Sequence, residues 1–191
     1  MKIRSKLNLR LTSAQFVLVS SILLATIFNL PFILAVYKSV SPYTLHEWLF
    51  FVSVPILLTQ LNVIILSLLG AFFLPRLTVA ITFLVSSLLL YGTSTYGIIF
   101  DKSMIQNVME TNSGEAFSYI NSTQLAFFFI VGLFPVFAVF SQEITGKLCT
   151  RTKHLLKVNV IAIVGVMLIV SFFYKDYAAV GRNNKELTKY I

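Results

Sequence analysis

The 191-residue chain is 57% hydrophobic and only 12% charged, about half the 25% or so of an ordinary soluble domain, which excludes a soluble globular domain and places it among polytopic membrane proteins. Its formal net charge of +8 is dispersed between apolar runs, so it holds loops on the cytoplasmic side rather than gripping nucleic acid. A single cysteine, Cys149, excludes an intramolecular disulfide and a thiolate metal site.

A bilayer core about 30 Å thick takes roughly 20 apolar helical residues. Five segments meet this, at about 16–37, 48–73, 77–100, 124–141 and 158–174. The expected fold is therefore all-α, because open-ended elements satisfy their backbone in lipid only as helices. The first segment follows Lys2, Arg4, Lys6 and Arg10. It is too long for a signal peptide and lacks a small-residue cleavage site, so it reads as a retained anchor.

Arg76, in the turn between the second and third spans, falls on the same side as the amino terminus. So do Lys147, Arg151, Lys153 and Lys157, between the fourth and fifth. This side is expected to be cytoplasmic. The opposite loops carry only Lys38 and Lys102, whereas the tail carries Lys175, Arg182, Lys185 and Lys189. A basic outer tail is tolerated where it leads into a translocated domain.

Asn29, Gln60, Asn62, Ser86 and Ser87 interrupt the spans. Hydrogen bonds between helices, below about 2 kcal/mol each, explain them more simply than a polar pathway. Asp, Glu, Lys and Arg are absent from the span centres, which argues against an ion-coupled transporter. Pro31, Pro55 and Pro135 are expected to kink their helices. The inverted repeat of many transporters is not found.

Between the third and fourth spans lies a polar island, Asp101 to Glu115, holding three of the seven acidic residues. Ser103 with Gln106, and more loosely Asn112 with Glu115, fit capping boxes. They predict two short interfacial helices at about 103–111 and 113–120, within an outer segment spanning 101–122. Ile105, Val108, Met109, Phe117 and Ile120 would face the membrane or the neighbouring spans. Asn107 and Thr111 share one helix face. Glu115 joins them only if the helix runs through Gly114 or the turn brings it back. Carboxylate, amide and hydroxyl together suit a small ammonium-bearing headgroup: the carboxylate pairs with the ammonium, and the others hold phosphate or ester oxygens. The plainer alternative is that Glu115 caps a helix and Asn107 faces water.

Enzymatic motifs such as HExxH, GxSxG or a P-loop are not found. His46 is expected in an outer loop and His154 in a cytoplasmic one, so they cannot share a metal. Neither a catalytic residue nor a metal ligand is assigned to this chain.

The stretch Thr95 to Thr111 with Glu115-Ala116, and the tail Phe173 to Ala178 with Arg182 to Leu187, resemble the lipid A phosphoethanolamine transferases. The resemblance covers essentially the whole chain. It implies a five-helix transmembrane domain over 1–174, and over 175–191 the start of a linker toward a periplasmic catalytic domain beyond Ile191. Gly181 and its neighbours would belong to a linker helix without chemistry. In such enzymes the catalytic domain carries a threonine nucleophile and zinc. It takes phosphoethanolamine from phosphatidylethanolamine and passes it to lipid A, which weakens binding of polymyxin-type peptides.

By this resemblance Asn107, Thr111 and Glu115 line the donor headgroup cavity, and the protein sits in the bacterial inner membrane with its amino terminus cytoplasmic and its carboxyl terminus periplasmic. Its partners would be the two lipids and its own catalytic domain, without which it transfers nothing. The alternative is a stand-alone lipid-binding or regulatory inner-membrane protein without catalysis.

Overall fold

The computed structural model describes residues 10–72, 74–97, 106, 110, 121–145 and 148–183. Strand β1 (Arg10–Thr12) runs straight into α1 (Ser13–Leu23). Thr12 and Gln15 form a capping box: the Gln15 backbone N–H donates to the Thr12 hydroxyl at 3.3 Å, and the Gln15 side-chain oxygen accepts from the Thr12 backbone N–H at 3.0 Å. A π-helical turn (Leu24–Phe28) and Asn29 then lead into α2 (Leu30–Val40).

The segments Ser13–Phe28 and Leu30–Val40 meet at a bend of 60°. The residues explain it. Pro31, in the first turn of α2, has no N–H to continue the ladder. Asn29 donates its side-chain amide to the Leu24 carbonyl at 2.8 Å, satisfying backbone that the break sets free.

Helix α3 (Leu45–Phe72) runs unbroken through Pro55. Helix α4 (Pro75–Tyr96) starts on a proline and ends at Gly97, whose φ of +64° suits glycine. Helix α5 (Ser122–Phe127), a second π-helical stretch (Phe128–Leu133) and α6 (Phe134–Ser141) follow one another as a single span. Strand β2 (Glu143–Thr145), α7 (Leu148–Phe172) and α8 (Tyr174–Asn183) complete the described chain.

Among the described residues, four helices are long and apolar enough to cross a membrane: Leu45–Ala71, Pro75–Tyr96, Ser122–Ser141 and Thr150–Phe172. Taken as one broken span, the bent first pair is the fifth. The protein is thus an all-α polytopic membrane protein, with one parallel strand pair as its departure from helix among the described residues.

Boundaries differ from those expected where hydropathy is a poor guide. The fifth helix begins at Leu148 rather than near 158. Arg151, Lys153, His154 and Lys157 are polar but good or adequate helix formers, and neither Pro nor Gly stops them. His154 and His46 accordingly lie on helices, in α7 and the first turn of α3, and not in loops. The third helix stops at its glycine cap, before 100.

Loops gather at two ends of the bundle. At one end β1 pairs with β2, Arg10 opposite Glu143 and Thr12 opposite Thr145. There too the Arg76 guanidinium donates to the Gln142 carbonyl at the carboxyl end of α6, where a cation is favoured. Strand β1, the start of α4 and strand β2 therefore share one end. The α2–α3 turn, Gly97, Asn121 and α8 share the other.

The main core joins Phe16, Val17, Leu24 and Phe28 to Val63 and Leu66 of α3, Val79 and Phe83 of α4, and Leu155 and Ala162 of α7. Phe28 stacks on Phe83 with ring centroids 5.3 Å apart. A smaller core at the other end holds Val36, Phe50, Val54 and Phe173. Large apolar side chains such as Phe134 and Phe137 point outward, 71% and 72% exposed. This suits lipid, where close packing and hydrogen bonds rather than water hold helices together.

Polar side chains mark the α3–α7–α8 seam at seven-residue intervals along α3: His46, Ser53, Gln60 and Ser67. Asn159 donates to the Ser67 hydroxyl at 2.7 Å and to the Ile64 carbonyl at 3.3 Å. Gln60 lies against Gly165, so closely that a Cβ there would sit 2.3 Å from its amide nitrogen. His46 and Ser53 face α8. Ser87 plays the same part toward Gly132, where a Cβ would come within 2.6 Å of its hydroxyl.

Candidate functional site

Asn107, Thr111 and Glu115 lie outside the described residues, as do most of the expected helices at 103–111 and 113–120. Gln106 and Glu110 are described. Both are helical and exposed, and the Gln106 amide donates to the Glu110 carboxylate at 2.8 Å. That bond is the i, i+4 neighbourhood of one helix face.

The described residues on either side of this segment belong to α4 and to the start of α5. Asn121 caps α5 by accepting from the Gln124 backbone at 2.7 Å. The same side chain accepts from the Tyr91 hydroxyl and donates to the Tyr96 hydroxyl, both at 3.3 Å. Tyr91 meets Tyr96 edge to face at 5.8 Å and Phe127 at 5.3 Å. One amide between two phenols thus draws together the residues that flank the segment.

Across the same end, α8 lies on α3. Asp176 faces the His46 imidazole at 3.2 Å. The Tyr177 phenol shares a hydrogen bond of 2.8 Å with the Ser53 hydroxyl and crosses Phe50 edge to face at 4.9 Å. Phe173 sits 5.8 Å from Phe50 and 5.7 Å from His46. Burial pushes the Tyr177 phenol above its ordinary value. The nearby Asp176 charge adds to this and the Ser53 hydrogen bond opposes it. Beside this patch Phe51 meets Tyr37 and Trp48 edge to face, and Tyr37 and Trp48 are tilted against each other, with centroids 5.5–6.3 Å apart. These rings touch one another near the first turns of α3, where a span ends and where membrane proteins concentrate Trp and Tyr.

Among the described residues, His, Cys, Asp and Glu do not gather in groups of three or more that would seat a metal. The seat for zinc is therefore not found in them.

The family described as phosphoethanolamine transferase EptA/EptB matches residues 58–191. The chain belongs to this family. Phosphoethanolamine transferase EptA of Salmonella typhimurium LT2 is 32% identical over 177 residues, covering 91% of this chain and 32% of the relative. The EptA of Escherichia coli K12 is 28% identical over 188 residues, covering 97% of this chain and 34% of the relative. The chain therefore spans about a third of the length of the curated phosphoethanolamine transferases it matches. A solved structure, the integral membrane protein lipooligosaccharide phosphoethanolamine transferase A from Neisseria meningitidis, superposes with a TM-score of 0.84 at 21% identity. It covers 96% of this chain and 34% of that one, and it shows the fold of the EptA membrane part.

Sequence reasoning took His46 for an ordinary loop histidine, read Asp176 and Tyr177 only as part of the tail motif, and did not single out Ser53. The signal was there in the seven-residue spacing that joins His46 and Ser53 to Gln60 and Ser67. It was hidden because His46 and Ser53 lie near the polar boundary of the span, where polar residues attract no notice.

Proposed function

We propose that this chain is the membrane domain of a phosphoethanolamine transferase that moves phosphoethanolamine from phosphatidylethanolamine to lipid A. The observation that carries the reading is the family match over 58–191, together with relatives that align along 91% or more of the chain. In this reading the domain sits in the bacterial inner membrane. The end that holds β1, Arg76 and β2 faces the cytoplasm, and α8 leads on the periplasmic side toward a catalytic domain carrying the nucleophile and zinc.

Asn107, Thr111 and Glu115 form the membrane-side wall of the donor site. The Glu115 carboxylate pairs with the ammonium of the headgroup, while the Asn107 amide and Thr111 hydroxyl hold its phosphate oxygens. The domain supplies the binding and the anchoring; the chemistry belongs to the catalytic domain.

The test is mass spectrometry of lipid A from cells expressing the intact enzyme. Wild type adds phosphoethanolamine. Glu115→Ala lowers the addition by about tenfold, as expected for losing one charged hydrogen-bonding partner, with unchanged membrane insertion. Wild-type addition from Glu115→Ala would remove the headgroup role. A native product no larger than this chain, isolated without a catalytic partner, would favour a stand-alone lipid-binding protein.

A further inference from the structure

Helix α8 has only 10 residues, too few to be stable in water alone, and it follows α7 after the single residue Phe173. Its existence and direction therefore depend on what it lies against. Phe173, Asp176, Tyr177 and Val180 fall at i, i+3, i+4 and i+7, along one face. Their counterparts His46, Phe50 and Ser53 fall at i, i+4 and i+7 along α3. The two stripes meet rung by rung. His46 faces Phe173 and Asp176, Phe50 faces Phe173 and Tyr177, and Ser53 faces Tyr177. Lys175 and Arg182 are exposed.

Two features separate this docking from ordinary bundle packing. It uses the smaller core, built on Val36, Phe50, Val54 and Phe173, and not the core that joins the spans. It also carries two directed polar contacts in an otherwise aromatic interface. Apolar area alone tethers a helix, whereas such contacts select one register and one direction.

We propose that His46, Ser53, Asp176 and Tyr177 are positioning residues for phosphoethanolamine transfer, holding α8 on the outer end of α3 so that the chain leaving Asn183 departs from a fixed point and in a fixed direction. The proposal rests on the transferase reading above. With α8 docked, a catalytic domain following it meets donor lipid presented at the membrane surface. With α8 loose, the same domain keeps its chemistry but loses its approach to the bilayer. None of the four residues touches the reacting atoms.

The test compares two reactions of the intact enzyme in lipid vesicles. One is transfer from phosphatidylethanolamine in the bilayer. The other is hydrolysis of a water-soluble chromogenic phosphoethanolamine ester, which needs only the catalytic domain. The variants are Asp176→Asn with Tyr177→Phe, and Ser53→Ala alone, which keep the shape of the interface. Transfer is expected to fall by up to about a hundredfold in the double variant, the scale of a 1 Å misplacement remote from the chemistry. Ester hydrolysis is expected to remain at the wild-type rate. Joining His46→Cys to Asp176→Cys through a short bis-maleimide, in a Cys149→Ser background, restores transfer.

Spin labels at Ser41→Cys and Arg182→Cys report the docking directly, with one narrow distance in wild type and a broad distribution in the double variant. Unchanged transfer in the double variant overturns the proposal, as does an equal loss in both reactions or a broad wild-type distance. A wild-type enzyme inactive in both reactions overturns the transferase reading itself and the positioning role with it.

Discussion

Gln60 and Gly165 illustrate what a single polar residue does in the middle of a span. The Gln60 carbonyl oxygen is buried without a hydrogen-bond partner among the described residues, and its amide lies where a Cβ of residue 165 would be. The contact is thus one of shape, and glycine permits it. Gly165→Ala must displace the end of a flexible side chain, so its cost is expected to stay near the lower end of the 1–3 kcal/mol typical of overpacking, about 1 kcal/mol. In a Gln60→Ala background that cost should vanish. A double-mutant cycle by unfolding in mixed micelles measures the coupling, and additive effects would contradict the contact. Asn159→Leu should destabilise the same helix pair by about 0.6–1.7 kcal/mol, by losing its bond to Ser67.

Tyr177 carries a pH prediction of its own. Its phenol is held above the ordinary value by burial and by Asp176, so the folded form favours the protonated ring. Docking of α8 is then fully present below about pH 10, the ordinary tyrosine value, and is lost as the pH rises through the higher folded value. Spin-label mobility on α8 in alkaline buffer should show this transition in wild type and not in Tyr177→Phe.

At the scale of elements, the spans were legible because twenty or so apolar residues have few other fates. The break in the first span was legible only as Pro31. The π-helical turn before it and the amide of Asn29 are local geometry without a hydropathy signature. Replacing Pro31 by Ala restores one backbone donor and should straighten the pair. Spin labels at Ser13→Cys and Val40→Cys, which bracket the bend, would then move apart, while an unchanged distance would mean that Asn29 and the π-helical turn hold the bend by themselves. The early start of α7 was obscured by its own basic residues, which suppress hydropathy but not helix formation. The strand pair had no signal at all, since three residues with a partner four spans away show no local pattern. The candidate headgroup residues stood out as a polar island and their chemistry suggested the grouping, but the donor cavity came from family resemblance, because Gly114 leaves the face of Glu115 open to spacing arguments.

For the whole molecule, the proposed orientation makes the two ends of the bundle chemically distinguishable. Ser41 and Thr150 are both exposed and lie at opposite ends. In a Cys149→Ser background, Ser41→Cys should react with an impermeant maleimide in intact inner-membrane spheroplasts. Thr150→Cys should react only after permeabilisation. The reverse pattern would invert the topology and place α8 in the cytoplasm, away from any periplasmic domain.

The pairing of β1 with β2 has a consequence for how the chain is made. Arg10 emerges from the ribosome among the earliest residues, and its partner Glu143 follows only after four spans have been threaded. Throughout that interval the first strand has no mate. When the mate arrives, the ladder closes at the same end where Arg76 reaches the carboxyl end of α6. The ladder therefore cannot close until the fourth span has been made, and the basic end of the bundle is fastened no earlier than that.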